Sequence, residues 1–558
     1  MGSPQLPTRE WSKKSWHRRA SKPVTVWMML FLVAGLTHVL IPNYRWVLIH
    51  IFTLGVLTNS IVLWSQHLTE KFLQQKLPET ARPWQLRRMM ILQAGIVLII
   101  AGQWTAGILP GHWILTQVGA TIVAGILLWH AAVLGGQWWR APRAKAFRPA
   151  VAGYVGASLA LPVGALFGAA LATELPGDWQ DRVRGAHVIV NLGGFVGLAA
   201  ASSLTVLFPA IWRTSGLRNH ATPMLTLIAA GVLTATTGML LDARPAVSTG
   251  LLIVVAGWIV GLQGWIANTI TVLRDPRDRV TYPPVSILMA VLWLVGTLSF
   301  YGVRIQLSDA PAHDVPLPTT ALLVGFAAQL LIGVMSYLLP TTMGGGPSAV
   351  RAGLREMNRV GLFRLTLINL GLAVWLASGN SWIRVVMSML CLGSLAVFVL
   401  LLVRSVRAQR RVLMKEAEGP VVDPGARPAW NQVTAGMAVV ALILSLFGGL
   451  NGSQGATPAT TQATGAESVT EVEVTTRGMT FVPDRIEVPE GDQLTVTFTN
   501  TDSMDHELKF ANGVQSGRLG EGESVELDLG VVTTDIHGWC TIAGHQAQGM
   551  VIDIVVVP

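Results

Sequence analysis

Hydrophobic positions along this chain come in long unbroken runs. Thirteen runs of about 20 residues, the length a bilayer core demands, fall near 23–42, 46–66, 88–108, 112–135, 149–172, 187–209, 222–241, 249–272, 284–303, 318–339, 360–378, 382–404 and 432–450. The pattern changes after the last of them. From residue 469 to 558 the apolar residues alternate with polar ones: Leu494, Val496 and Phe498 in "QLTVTFTN", Val525, Leu527 and Leu529 in "SVELDLG", Ile552, Ile554 and Val556 in "VIDIVVVP". Period-two alternation between Gly, Pro and Asp turns predicts strands, here a small antiparallel sandwich. The fold class expected is therefore a polytopic all-α membrane domain of about thirteen helices, twelve plus one, followed by an all-β Greek-key sandwich. No internal repeat is apparent in the sequence.

The boundaries follow from the same pattern. Residues 1–22 form a basic N-terminus, 23–405 a twelve-helix domain, 406–431 a basic loop and 432–450 a thirteenth span. Residues 451–468, "NGSQGATPATTQATGAES", are small, polar and rich in Gly and Thr, the composition of a flexible tether. Such a tether reaches roughly 20–25 Å, taking about 5–6 Å times the root of its length. It holds the 469–558 tail at about millimolar effective concentration over the membrane surface.

Charge fixes an expected orientation. The loops "WWRAPRAKAFR", "WRTSGLRNH", "RDPRDRV", "VRAGLREMNR" and "RSVRAQRRVLMK" follow every second span and are all basic, as is "TREWSKKSWHRRASK" at the N-terminus. The positive-inside rule places them in the cytoplasm, so thirteen spans leave the tail outside. The first run is long and lacks a small-residue cleavage site, so it is expected to remain as an anchor. The net charge of +9 hides an asymmetry: from Glu467 onward there are sixteen acidic and four basic residues. An acidic tail hangs from a basic membrane part. Membrane lipid and a redox protein partner are expected, and no nucleic acid.

Only two of the 558 residues are cysteine. Cys391 sits inside an apolar run and is read as a buried apolar residue, which rules out a disulfide framework. The other, Cys540, lies in "GWCTIAGHQAQGM", with His545 five residues on and Met550 five beyond that; His506 lies in "NTDSMDHELKF" after the strand ending at Asn500. Two imidazoles, a thiolate and a weak axial thioether suit an electron-transfer copper, because thiolate favours Cu(I) while imidazole accepts both oxidation states. His537, three before the cysteine, is read as a neighbour and not a ligand.

These residues resemble the cupredoxin family of plastocyanin-like blue copper domains. The resemblance spans about 90 residues. It covers "GMTFVPDRIEVPEGDQLTVTFTNTD", then the histidine, then Cys-x4-His-x4-Met. It implies a type 1 copper with His506, Cys540, His545 and Met550 as ligands.

The membrane histidines are unevenly placed. His38, His50, His112 and His187 stand at span ends that the topology puts near the outer face, while spans seven to twelve contain none. Ionisable residues within membrane segments are costly and are functional candidates. A haem or copper centre built from some of these four is expected. "WVLIHIFTLGVLTNSIVLWSQHL" and "GAHVIVNLGGFVGLAAASSLTVLFPAIWR" resemble segments of haem–copper-oxidase-related membrane proteins, of NnrS-like proteins, and of the membrane region of actinobacterial copper nitrite reductase fusions. That resemblance implies metal or haem binding at His50 and His187. The paired histidines and His-x-x-x-Tyr of the oxidases' later helices have no counterpart here. A single cupredoxin-like segment also argues against nitrite reduction by the tail alone.

The function expected is membrane-anchored copper electron transfer. The tail would exchange single electrons with a haem or copper centre in the membrane domain or with a respiratory or denitrification partner. Copper binding, transport or sensing is one alternative, and a nitrite- or nitric-oxide-reductase-related oxidoreductase is another. Outer-face Arg45, Arg182, Arg184, Arg244 and Arg304 are candidate docking charges for the acidic tail.

Overall fold

The computed structural model describes residues 19–41, 43–106, 109–173, 175–214, 220–275, 280–420, 429–447, 468–542, 545–546 and 549–557. The basic N-terminus up to residue 18 and almost all of the expected tether lie outside the described residues. The chain forms two compact units, residues 1–365 with 394–433, and residues 366–393 with 434–558.

Among the described residues, eleven helices are long and apolar enough to cross a membrane, by length and composition. They are α2 (Tyr44–Leu73), α3 (Glu79–Trp104), α4 (His112–Arg140), α5 (Arg148–Leu171), α6 (Trp179–Trp212), α7 (Ala221–Leu240), α8 (Arg244–Leu273), α9 (Tyr282–Leu307), α10 (Ala321–Met343), α11 (Pro347–Ala377) and α12 (Ser381–Leu413). Two shorter apolar helices, α1 (Lys22–Leu36) and α13 (Trp430–Leu446), fall in the first and last expected spans. Helix–helix contact relies on small residues, as membrane packing does. A Cβ on Gly250 of α8 would lie 2.3 Å from the Ala235 backbone nitrogen of α7, and one on Gly231 would lie 2.6 Å from the Gly250 carbonyl. The two backbones touch there.

The structure contains a repeat that is not apparent in the sequence. The second helix in each group of four, α2, α6 and α10, includes a wide π-helical segment: Ile51–Thr58, Ile189–Gly197 and Ala321–Ala328. Each segment continues into an α-helix of 15 residues, Asn59–Leu73, Leu198–Trp212 and Gln329–Met343. Gly55, Gly194 and Gly325 occupy the same place in the three segments, four residues before the α-helix resumes. Pro209 and Pro340 are likewise equivalent, with Glu70 in the first copy. Little else is shared, so the residues alone do not betray a unit that recurs in backbone geometry. Isolated π turns are rare and concentrate at functional sites. Three at equivalent positions mark these helices as a set.

The C-terminal unit contains the sandwich. Its strands are β1 (Val469–Arg477), β2 (Thr480–Val482), β3 (Arg485–Pro489), β4 (Gln493–Thr499), β5 (Leu508–Phe510), β6 (Ser524–Val531), β7 (Ile536–Cys540) and β8 (Val551–Val557). They make two four-stranded sheets in the orders β2-β1-β4-β6 and β3-β8-β7-β5. The expected alternation holds: Leu494, Val496, Phe498, Ile552 and Ile554 are all fully buried. They pack with Val474, Phe481, Val488 and Phe510 into one core.

The expectation of a wholly antiparallel sandwich is corrected. β1 runs parallel to β4, and β3 runs parallel to β8. Period-two patterning reports which face of a strand is buried and carries no information on the direction of its neighbour. This topology places the end of β7 beside the start of β5, with Leu508 opposite Cys540.

Candidate metal centre

Three loops meet at one end of the sandwich. His506 lies between β4 and β5 and is held by reciprocal backbone hydrogen bonds with Leu519, 3.1 Å and 2.8 Å long. Cys540 is the last residue of β7. Its amide donates to the Met550 carbonyl at 3.1 Å, the His545 amide donates to the Ile542 carbonyl at 3.0 Å, and the Met550 amide donates to the His545 carbonyl at 3.1 Å. The return from β7 to β8 is thus pinned at both ends and at its middle. Residues 543–544 and 547–548 of this return lie outside the described residues.

Among the described residues, His506, Cys540 and His545 are the one group of three metal-capable side chains whose ligand atoms all lie within 4.8 Å of one another. Cys540 Sγ is 3.5 Å from His545 Nδ1, and the two imidazole rings are 5.1 Å apart. A first-row ion with bonds of about 2.0 Å to nitrogen and 2.3 Å to sulfur holds such ligands about 3.5 Å apart. The spacing fits a metal. Met550 is fully buried in the same core.

Hydrogen-bond satisfaction points the same way. His506 is 0% exposed, and neither of its ring nitrogens makes a hydrogen bond. The nearest charge is the Asp502 carboxylate, with Oδ2 3.4 Å from Nε2. Buried polar atoms are ordinarily partnered, and leaving one unpaired costs about 1–3 kcal/mol. An imidazole without a hydrogen bond at either nitrogen and with one carboxylate contact, set against a thiol and a second imidazole, is the donor set of a soft-metal site.

Burial sets the protonation states. It holds His506 below the usual histidine range, with Asp502 pulling the other way. It lowers His545 too, and the neighbouring His506 adds to that. It pushes the Cys540 thiol up, opposed by backbone hydrogen bonding at Glu507 and Ile542. At neutral pH the metal-free site therefore holds two neutral imidazoles with lone pairs available and one protonated thiol.

Several supporting residues are not evident from sequence spacing. Asn500 is fully buried. It accepts from Thr476 Oγ1 at 2.8 Å and from the Asp502 amide at 3.0 Å, and its Nδ2 donates to the carbonyls of Met504 at 2.8 Å and Leu519 at 2.9 Å. It closes the loop that presents His506. The signal for it is the Asn-Thr-Asp run after a strand, an Asx turn. Glu507 does the same for Cys540, accepting from Thr541 Oγ1 at 2.6 Å through its carboxylate and from the Thr541 amide at 3.2 Å through its carbonyl. His537 is a neighbour and not a ligand, since its Nδ1 pairs with Asp553 at 2.6 Å on the surface. Cys391 is buried, as expected, with its thiol donating to the Ile368 carbonyl at 3.4 Å.

Of the four membrane histidines expected to contribute to a centre, one pair is seen in ring contact among the described residues. His50 and His187 are brought together, with ring centroids 6.4 Å apart. His50 Nδ1 is 2.8 Å from the Trp46 carbonyl and His187 Nδ1 is 2.8 Å from the Gly164 carbonyl. A carbonyl only accepts, so both Nδ1 atoms carry the proton and both Nε2 atoms are acceptors. Asn191 Nδ2 lies 3.3 Å from His187 Nε2. His38 instead packs on Tyr44, 5.1 Å between rings. His112 has a buried Nδ1 without a hydrogen bond. The arginines also sort themselves. Arg182 pairs with Asp178 at 2.6 Å and Arg184 with Asp181 at 2.6 Å, and Arg244 donates to the Ser308 carbonyl. Arg45 and Arg304 are exposed.

Comparison with known proteins agrees with the strand pattern of the tail. The model of the cupredoxin-like domain family matches residues 441–535. The C-terminal segment is therefore a cupredoxin-like domain. The match contains His506 and stops before Cys540, His545 and Met550, so those three stand on the structure and the sequence spacing. Similar solved structures include the dithionite-reduced auracyanin of the photosynthetic bacterium Roseiflexus castenholzii. It is 21% identical over 17% of this chain and 100% of that chain, with a TM-score of 0.16. Auracyanin B is 16% identical over 17% of this chain and 91% of that one, with a TM-score of 0.15. No curated protein matches the chain.

Two measurements test the site. Asn500→Ala removes four hydrogen bonds from the His506 loop. It is expected to destabilise the domain by about 2–4 kcal/mol and to weaken copper binding, read by denaturant unfolding and metal titration; an unchanged affinity would remove Asn500 from the site's support. Copper binding at neutral pH is expected to release about one proton per metal, from Cys540 alone, because both imidazoles are already neutral. Calorimetry in buffers of different ionisation enthalpy reads that number, and a release of about three would contradict the burial argument.

Proposed function

We propose that this chain is a membrane-anchored electron-transfer protein whose extracytoplasmic tail carries a type 1 copper held by His506, Cys540 and His545 with Met550 as the axial ligand. The observation that carries the reading is the buried thiol beside two buried imidazoles, with neither nitrogen of His506 hydrogen-bonded. Bound copper supplies a single-electron couple. The chain's own part is to hold the ligands in place in both oxidation states, through the backbone bonds of the β7–β8 return and the Asn500 loop, and to exclude water. Burial favours electron transfer over passing the metal on: His506 is 0%, Cys540 1% and His545 9% exposed. An ion so enclosed exchanges slowly, while an electron needs only the edge of an imidazole.

The arrangement read for the rest of the chain is a twelve-helix domain over 23–405, a cytoplasmic loop over 406–431, a thirteenth helix over 432–450 and a tether over 451–468. The basic loops support an outer tail. One contact within the C-terminal unit supports it too. Arg518 Nη2 of the tail donates to Ser381 Oγ at 2.8 Å. The turn between α11 and α12 is an outer turn by the charge rule, so a contact from the tail to it is in keeping with an outer tail.

The intrachain partner in this reading is a haem or copper centre at His50 and His187, whose rings meet from neighbouring helices with Nδ1 bonded to backbone carbonyls. Such a centre would displace the Asn191 contact to His187 Nε2. A redox protein outside the chain is the other electron partner, reached by charge complementarity with the acidic tail or with exposed Arg45 and Arg304. Copper handling remains the second reading. A colourless tail that stays loaded with Cu(I) would favour it.

The reconstituted protein is expected to show a Cu(II)–thiolate absorption that bleaches and returns on reduction and reoxidation. Cys540→Ser abolishes the absorption while leaving any metal held by the membrane histidines. Retention of the parent spectrum in that variant would sink the proposal. Electron exchange is also expected to slow several-fold between low and physiological ionic strength, as steering over a Debye length of ~8 Å is screened. A rate independent of salt would exclude charge-guided docking.

A further inference from the structure

The three π-containing helices α2, α6 and α10 line a cavity of about 80 Å³. Its walls follow the repeat. Counting from the residue where each α-helix resumes, the same six positions of all three helices line it, with Tyr154 of α5 as the one addition. The first lining position of each helix is Leu57, Val196 or Ala327 and the last is Leu68, Leu207 or Leu338, which are equivalent in the three repeats. A cavity left by imperfect packing would not fall on equivalent residues of three repeats. We propose that this chamber is a binding site for a small neutral apolar molecule the size of a diatomic gas. The inference is independent of the copper reading.

The lining offers water few partners. Its hydroxyls are already engaged. Ser60 donates to the Val56 carbonyl at 2.7 Å, and Ser203 donates to the Ala199 carbonyl at 2.8 Å with Tyr154 OH 2.8 Å away. Ser65 lies 2.9 Å from His130 Nε2 on α4. A buried water needs two to four polar partners, and apolar cavities stay dry. An ion would be stripped of its solvation and given nothing in return. A neutral guest gains the dispersion contacts that an empty wall forfeits.

Size sets the upper limit. An apolar cavity of ~150 Å³ accommodates benzene or xenon. The present chamber, at about 80 Å³, is about half of that and admits xenon or two to three heavy atoms. It is too small for a haem or a quinone ring. The widened π turns lie at one end of the chamber in every repeat. They offer a reason for the recurrence, since a wide turn displaces the side chains that would otherwise fill the axis.

Xenon is the probe. The full chain in nanodiscs, under a few atmospheres of xenon, is expected to show one saturable site by xenon NMR and one xenon peak between the three helices by diffraction or cryo-microscopy. Ala200→Leu, which grows a side chain from the α6 wall, is expected to weaken xenon binding at least tenfold. Leu331→Ala, which enlarges the chamber from α10, is expected to keep xenon and to gain binding of benzene, which the parent lacks. The second variant decides if the first does not fold. The proposal is overturned if the parent shows no saturable xenon site, or if ordered water or a lipid acyl chain fills the chamber. Xenon binding unaffected by Ala200→Leu, or a Leu331→Ala protein that still rejects benzene, overturns it as well.

Discussion

A single constraint organises the C-terminal unit: a thiol and two imidazoles must sit in a hydrophobic core without being satisfied by it. The sandwich places them there with Leu508, Phe510, Ile552 and Ile554 around them, so no solvent relieves His506. Such a site is unfavourable until a cation arrives, because the folded apoprotein bears the desolvation of the ligands without their bonds. The surrounding hydrogen bonds make this tolerable. Asn500, Glu507 and the amides of Cys540, His545 and Met550 tie the two ligand-bearing loops to strands that would be stable in any case. The core fixes the loops, the loops fix the ligands, and a bound metal would gain from geometry that already exists.

The His506, Cys540 and His545 cluster was legible because its chemistry is rare in this sequence. With two cysteines in 558 residues, a cysteine followed at intervals of five by His and then Met points to soft-metal coordination. The strands were legible through alternation, which burial enforces on every second residue. Strand direction was not, and the parallel β1–β4 and β3–β8 pairs are invisible to a period-two pattern. Helix number was legible only in part from length and hydropathy, since thirteen runs were read. Eleven spans emerge with two shorter apolar helices at the places of the first and last. The repeat was hidden on different grounds. In a bilayer-like interior many aliphatic residues pack equivalently, so Ser65, Leu204 and Met335 can hold one structural position without resembling one another. What persists is backbone: the π turn, its glycine, and a proline in two of the copies.

The membrane histidines show where sequence reasoning reaches its limit. Four stood at similar depths, and the resemblance of their segments to known membrane proteins pointed to His50 and His187. Rotation about the helix axis decides contact, and a hydrophobic run that faces lipid on one side and protein on the other gives no reading of rotation. The structure selects His50 and His187 and gives each the same device, an Nδ1 bonded to a backbone carbonyl. That bond fixes the tautomer and aims the remaining lone pair, which is the usual way a protein orients an imidazole toward a metal. Both residues lie one or two positions before a π turn, where the backbone of the inner helices departs from regular geometry.

The two regions solve opposite problems with related means. In the tail, polar atoms are left unpaired inside an apolar core, which selects a cation with soft and borderline ligands. In the helical unit, the chamber's hydroxyls are paired off against helix carbonyls, which removes polarity from a cavity and selects a guest with none. The selectivity of each follows from hydrogen-bond satisfaction more than from shape. Unpaired His506 demands charge, while Ser60 and Ser203, already committed to Val56 and Ala199, refuse it. A chain that kept both a dry apolar chamber and a closed redox site would separate its small-molecule chemistry from its electron chemistry. The separation has a physical basis, because water admitted to either region would undo it: in the tail by solvating the ligands, and in the bundle by competing for the space.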